Sequence, residues 1–161
     1  MTTKTELAER FWKTLDSDRT VMLGATGVYP MPMTGIAENA RGPIWFFTAQ
    51  ANGLAEALEG GASLDSLLML ASKDHELFAT CGGKLSMNND RDVIDRLWNP
   101  FVAAWYEDGK DDPKLRLLRF DPDVAEIWLN DSSLLAGVKT LLGIDPKTSY
   151  ADKTKKVKLK G

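Results

Sequence analysis

The stretch Ile44-Trp45-Phe46-Phe47-Thr48-Ala49 decides how the rest of the chain is read. Four consecutive large or branched apolar residues suit a pleated, buried strand better than any other element. The turn residues Arg41-Gly42-Pro43 stand before it, and Asn52-Gly53 follows shortly after. A buried strand needs neighbours to take its backbone bonds and to cover its apolar side chains.

Upstream, Thr20 to Gly27 reads as a strand interrupted by Gly24 and Gly27, and Pro30 to Gly35 as an edge strand or its start, because proline cannot donate to a ladder. Ile36 to Glu38 extends it. Downstream, Asn52 to Gly61 reads as a short helix stopped by Gly60-Gly61. Ser63 to Ser72 and Glu76 to Met87 read as a hairpin turning at Lys73-Asp74-His75. Gly82-Gly83 inside its second arm signals a bulge or a close backbone approach. Lys114 to Asp121 and Val124 to Asn130 read as two further strands.

Helices frame this set. Leu7, Phe11 and Leu15 repeat every four residues within Thr3 to Leu15. Asn88 to Glu107 is helical but divided at Pro100, where proline suits the first turn of a new segment and Asn99 is its cap. Ser132 to Gly143 reads as a last amphipathic helix, and the lysine-rich tail from about 146 as loosely ordered. The total is about seven strands and three or four helices. The connections are too short for parallel crossovers, so the expected fold is α+β, mainly β, with an antiparallel closed or partly closed barrel.

The totals agree with one domain spanning 1–161. The chain has 161 residues, 43% of them apolar and 27% charged, with a formal charge of −3. That charge offers nucleic acid no basic surface. No apolar run approaches the roughly 18 residues of a membrane span, and the polar N-terminus is not a secretory signal. One cysteine, Cys81, has no intramolecular partner, and a cytoplasmic location is expected.

Few residues carry obvious chemistry. His75 is the single histidine and reads as a solvated turn residue, which excludes a histidine-rich metal site. Cys81 reads as a buried, inert thiol. Gly24-Ala25-Thr26-Gly27 lacks both the dinucleotide spacing and a Walker lysine. Asp111-Asp112 and Asp121/Asp123 each flank a proline and read as turns. The aromatics stand out. Trp98 and Trp105 lie seven residues apart, and large rigid rings serve core packing or a planar ligand equally well.

Read in order, Phe11-Trp12, Pro32-Met33-Thr34, Trp45 to Thr48, Leu97 to Pro100 with Trp105, Gly109 to Pro113, Leu117 to Arg119 and Glu126 to Trp128 form a pattern. It resembles the bacterial general stress proteins of the pyridoxamine 5′-phosphate oxidase-like, FMN-binding split-barrel superfamily, over about residues 6 to 145. The resemblance implies a six-stranded antiparallel split β-barrel with flanking helices, a homodimer, and two flavin sites at the dimer interface. It implies that the flavin lies along Met31-Pro32-Met33-Thr34 and Phe46-Phe47-Thr48, with its phosphate near Asn52, Gly53 and Leu54. Trp105 falls in a segment similar to one that packs near the partner subunit's flavin.

The chain departs from the pattern where related proteins carry arginine at Met31 and basic residues with serine at Asn52 to Leu54. Lys73 or Lys84 is an alternative source of positive charge. FMN is the implied cofactor, with NAD(P)H-linked redox chemistry. The alternatives are FAD, a deazaflavin or haem, or a non-enzymatic stress protein with a decayed flavin site. The resemblance does not reach the C-terminal substrate motif of the true oxidases, which argues against pyridoxamine phosphate oxidation itself.

Overall fold

The structure, a computed structural model, describes residues 2–130 and 154–159. Helix α1, Lys4–Asp18, opens with a capping box: Thr3 Oγ1 accepts from the Glu6 amide at 3.1 Å, and Glu6 Oε2 accepts from the Thr3 amide at 2.7 Å. It runs one turn further than its apolar repeat predicts. Leu7, Phe11 and Leu15 are fully buried along one face.

The strands are β1 Thr20–Ala25, β2 Val28–Thr34, β3 Ile36–Ala37, β4 Ile44–Ala49, β5 Ser63–Ala71, β6 Leu77–Met87, β7 Leu115–Leu129 and β8 Thr154–Lys158. Between them lie α2 Gly53–Leu58, α3 Arg91–Leu97 and α4 Pro100–Ala103. Every ladder among the described residues is antiparallel. The strand order is β2-β1-β5-β6-β7-β4-β3, with β8 added on β7. The expected count of six strands is therefore corrected to eight among the described residues.

The order itself explains the curl. Strands β2 and β3 stand at opposite ends of the sheet, yet only Gly35 separates them in the chain. The sheet must bend until its ends meet. No ladder joins β2 to β4 among the described residues, so the barrel stays split there. Gly35 sits at this corner because a Cβ would lie 3.1 Å from Ile44 and 3.3 Å from the Phe46 ring.

Strand β4 is buried on both faces. Ile44 and Phe46 join the barrel core beneath α1, while Trp45 and Phe47 join a second cluster with Val93, Ile94, Tyr106 and Leu117. A continuous apolar run with no polar alternation is what such a two-sided strand requires.

Two expectations need correction. Lys114–Asp121 and Val124–Asn130 are not separate strands but parts of the single 15-residue β7. One edge of β7 pairs with β4 through Phe120 and with β8 from Val124. Asp121 to Asp123 falls in the gap between these partners and beside a register shift in β6 at Cys81/Gly83. There the donor that Pro122 lacks costs the ladder little, so proline does not end the strand. The Gly82-Gly83 signal marks this bulge: a Cβ on Gly83 would collide with the Asp121 carbonyl and the Phe120 ring.

The second correction concerns the lysine-rich tail. Thr154–Lys158 is a strand, not loosely ordered chain. Val157 and Leu159 alternate with lysines and bury 5% and 4% exposed in the core. Lysines on the outward positions discourage another chain from pairing along that edge. The predicted helix Ser132–Gly143 lies outside the described residues, as does the first part of the tail.

Candidate functional site

Where β2 and β4 part, a groove of about 680 Å³ opens, roofed on one side by α4 and the residues after it. Pro32, Met33 and Thr34 come from β2, and Phe47, Thr48 and Ala49 from β4. Arg19 and Thr20 stand at the junction of α1 and β1; Asn99, Phe101, Val102, Trp105 and Tyr106 form the other wall.

That second wall depends on a break in the chain. α3 ends at Leu97, and Asn99 Oδ1 caps α4 by accepting from the Phe101 and Val102 amides at 2.9 and 3.1 Å. Pro100 occupies the first turn, as its spacing predicts. The break turns the two tryptophans apart. Trp98 packs edge-on against Phe47 with ring centroids 5.9 Å apart, and lies 6.1 Å from Tyr106. Trp105 is 83% exposed at the groove rim, beside Phe101 at 78%. Within one chain, Trp105 thus borders the groove built by its own β2 and β4.

The structure divides the other residues singled out from sequence. Pro32, Met33, Thr34, Phe47 and Thr48 meet at the groove. Phe46 and Leu54 do not: both side chains are fully buried in the barrel core. The reason is the alternation of a strand, which sends neighbouring Phe46 and Phe47 to opposite faces. Met31 also turns away from the groove. Its sulfur accepts from Asn52 Nδ2 at 3.3 Å, while Asn52 Oδ1 caps α2 by accepting from the Leu54 amide at 2.8 Å. Gly53 begins α2 with its Cα side facing Met31 and Val28.

Positive charge comes from a residue that motif reading passed over. Lys84 is tied to Asp65 elsewhere, Lys73 sits in the β5–β6 turn, and Arg116, opposite Thr48 in register, is held by Glu59 at 3.0 Å. Arg19 lines the groove instead. Its only sequence signal is its place directly after Asp16-Ser17-Asp18, which reads as a helix stop.

A second groove of about 870 Å³ is larger but chemically quieter. Its charges largely cancel within the wall, with Lys84 paired to Asp65, and Arg119 paired to Asp121 while lying 5.7 Å over the Trp45 ring. Among the described residues, the β2–β4 groove instead combines aromatic rings with the hydroxyls of Thr20, Thr34 and Thr48 and the Arg19 cation, the mixture expected of a site for a planar, polar-tailed ligand.

The remaining candidates fall away on physical grounds. His75 is exposed in its turn at φ 59°, and no cluster of metal-ligating side chains occurs among the described residues. Burial pushes the Cys81 thiol up from 9.0 to about 12, against a hydrogen bond from the Asp123 backbone and with a smaller push from the Asp123 charge. A protonated, enclosed thiol is a poor nucleophile.

The shift has a consequence for stability. Above pH 9 the unfolded chain releases this proton while the folded chain keeps it, so stability must fall as pH rises from about 9 towards 12. Tyr106, pushed up to about 12 chiefly by burial, acts in the same direction from 10 upward. We expect the urea midpoint to drop between pH 8 and about 10.5, and to drop less in Cys81→Ala. Equal pH dependence of the two proteins would rule out the thiol as a cause.

Comparison with known proteins agrees with this architecture. The family described as Pyridoxamine 5′-phosphate oxidase like matches residues 6–149. The general stress FMN/FAD binding protein of Xanthomonas citri is 53% identical, with a TM-score of 0.75, over 83% of this chain and 95% of that one. A general stress family protein of Xanthomonas campestris pv. campestris is 54% identical, with a TM-score of 0.76, over 85% and 96%. General stress protein 26 of Bacillus subtilis is 29% identical over 77 residues, 47% of this chain, and the match spans about half, 54%, of that curated relative. Sequence order, strand topology and relatives converge: the chain belongs to the pyridoxamine 5′-phosphate oxidase-like family, alongside proteins named for the general stress response.

Proposed function

We propose that this protein binds a flavin, FMN in the first instance, in the groove between β2 and β4. The carrying observation is the groove itself: the split in the sheet exposes Thr34 and Phe47 together, and the rim presents Trp105 beside them. An apolar wall with a few hydroxyls suits an isoalloxazine ring with its ribityl tail, and the volume falls in the range of ligand clefts, about 300–1,000 Å³. The binding named for the Xanthomonas citri relative supports the same reading.

When bound, the flavin would supply the electron-transfer chemistry. The chain's part is to hold the ring against Phe47 and Trp105 and to offer hydroxyls to its polar edge. NAD(P)H as electron donor belongs to the proposal as the reaction to try first. No side chain in the groove is assigned as acid or base.

The proposal includes a homodimer. Met22, Leu67, Phe78 and Val124 stand on the outer side of neighbouring strands β1, β5, β6 and β7, each 37% exposed or more. Large apolar side chains exposed along one face of a sheet mark an interaction surface.

The test starts with purified protein. We expect yellow colour or quenching of FMN fluorescence on titration at micromolar concentrations, weaker uptake of FAD, and twice the chain mass by light scattering. Protein that leaves both flavins free at about 50 µM, tighter than which even modest sites bind, would defeat the flavin reading. Retained flavin that never bleaches with NADH or NADPH would make the protein a carrier or sensor.

A further inference from the structure

We propose that Arg19, with the hydroxyls of Thr20 and Thr34, forms a phosphate-recognising corner of the groove. This deepens the flavin reading of the same site and rests on it for the ligand's identity.

Arg19 is held in an uncommon way. Its φ is 63°, a left-handed value that costs a residue with a Cβ and persists where the surroundings fix it. The surroundings do: its amide donates to the Leu15 carbonyl at 2.9 Å, and its own carbonyl accepts from the Gly35 amide at 2.8 Å. The side chain is steadied by Nε donating to the Asp16 carbonyl at 3.3 Å. The two terminal nitrogens of the guanidinium have no partner among the described residues.

Among the described residues nothing opposes that charge. Arg91, Arg96, Arg116 and Arg119 each hold a carboxylate, whereas among the described residues no carboxylate oxygen lies within 4 Å of the guanidinium nitrogens of Arg19, as is also true of Arg10 and Arg41. The closest in sequence, Asp18, is turned away to the Lys73 amide at 2.8 Å and to Ser17. Thr20 and Thr34 are register partners across β1 and β2, and both are exposed on the groove wall with Arg19. A planar cation fork with two neighbouring hydroxyl donors matches the oxygens of a phosphate monoester.

Two sources would present that group: the flavin's own phosphate, or the phosphate of a second reactant. The experiment compares FMN with riboflavin, and phenyl phosphate on the flavin-loaded protein, in wild type, Arg19→Gln and Arg19→Lys. Arg19→Gly serves as the folding control, because glycine relieves the left-handed backbone.

We expect Arg19→Gln to lose about tenfold in phosphate recognition, the equivalent of one charge-assisted hydrogen bond, and Arg19→Lys to lose less. If the loss appears as a reduced preference for FMN over riboflavin, the corner takes the flavin's phosphate. If that preference is intact and phenyl phosphate binding falls, it takes the reactant's. If neither changes, the inference is overturned. Should wild type bind neither flavin, the flavin reading fails by itself. Phenyl phosphate titrated against the tryptophan fluorescence of the bare protein then decides: binding lost in Arg19→Gln sustains the corner, and absence of binding overturns it.

Discussion

Phe46→Ala should cost about 3–5 kcal/mol of stability, the usual range for removing a buried phenylalanine. It should leave flavin uptake by the remaining folded protein unchanged. Phe46 is fully buried beneath α1, and its ring stands against the Gly35 corner where the sheet turns. Deleting it opens a cavity at the one place where β2 must bend into β3. Such a loss is a large part of the stability of a small domain, about 5–15 kcal/mol in total. Urea unfolding followed by tryptophan fluorescence measures it. An unchanged midpoint with lost flavin would move Phe46 from the core to the groove.

Trp105→Ala should do the reverse. Its side chain is 83% exposed, so the folded chain loses little packing, within about 0.5 kcal/mol. Stacking of a flat heteroaromatic ring on an aromatic side chain is worth about 1–3 kcal/mol. The middle of that range corresponds to roughly thirtyfold weaker flavin binding. Titration with FMN, read by quenching, checks the affinity, and a thermal scan checks the fold. Equal affinity in the variant would leave Trp105 as a surface aromatic with no part in the site. The two variants together separate core from groove, since each should move only one of the two measurements.

The contrast between these residues shows what the sequence made legible. Phe46 and Phe47 are adjacent and chemically identical, and a motif carries both into the cofactor segment. Only the direction of each side chain separates them, and that depends on which face of β4 meets α1 and which meets α3. Leu54 shows the same rule: it lies in the segment the resemblance assigns to the phosphate, while its side chain faces the core. The tail misled differently. Its lysines dominate the composition, while the alternation of Val157 and Leu159 that makes it a strand is only two residues long. Pro122 misled because a proline ends a strand only where its missing donor is needed, and here the bulge removes the need.

What the sequence by itself determined is local. Apolar runs, the four-residue repeat of α1, the Asn99-Pro100 start of α4 and the glycine pair at the bulge follow from steric and hydrogen-bonding rules acting over a few residues. The ordered motifs added the family. The tertiary structure alone decided the closing of the sheet at Gly35, and with it the groove. A groove arises because strands β2 and β4, ten residues apart in the chain, approach without pairing. Arg19 enters it only because the end of α1 returns to that same corner. Whether its charge meets a carboxylate depends on what lies nearby in space, and no spacing along the chain records that distance.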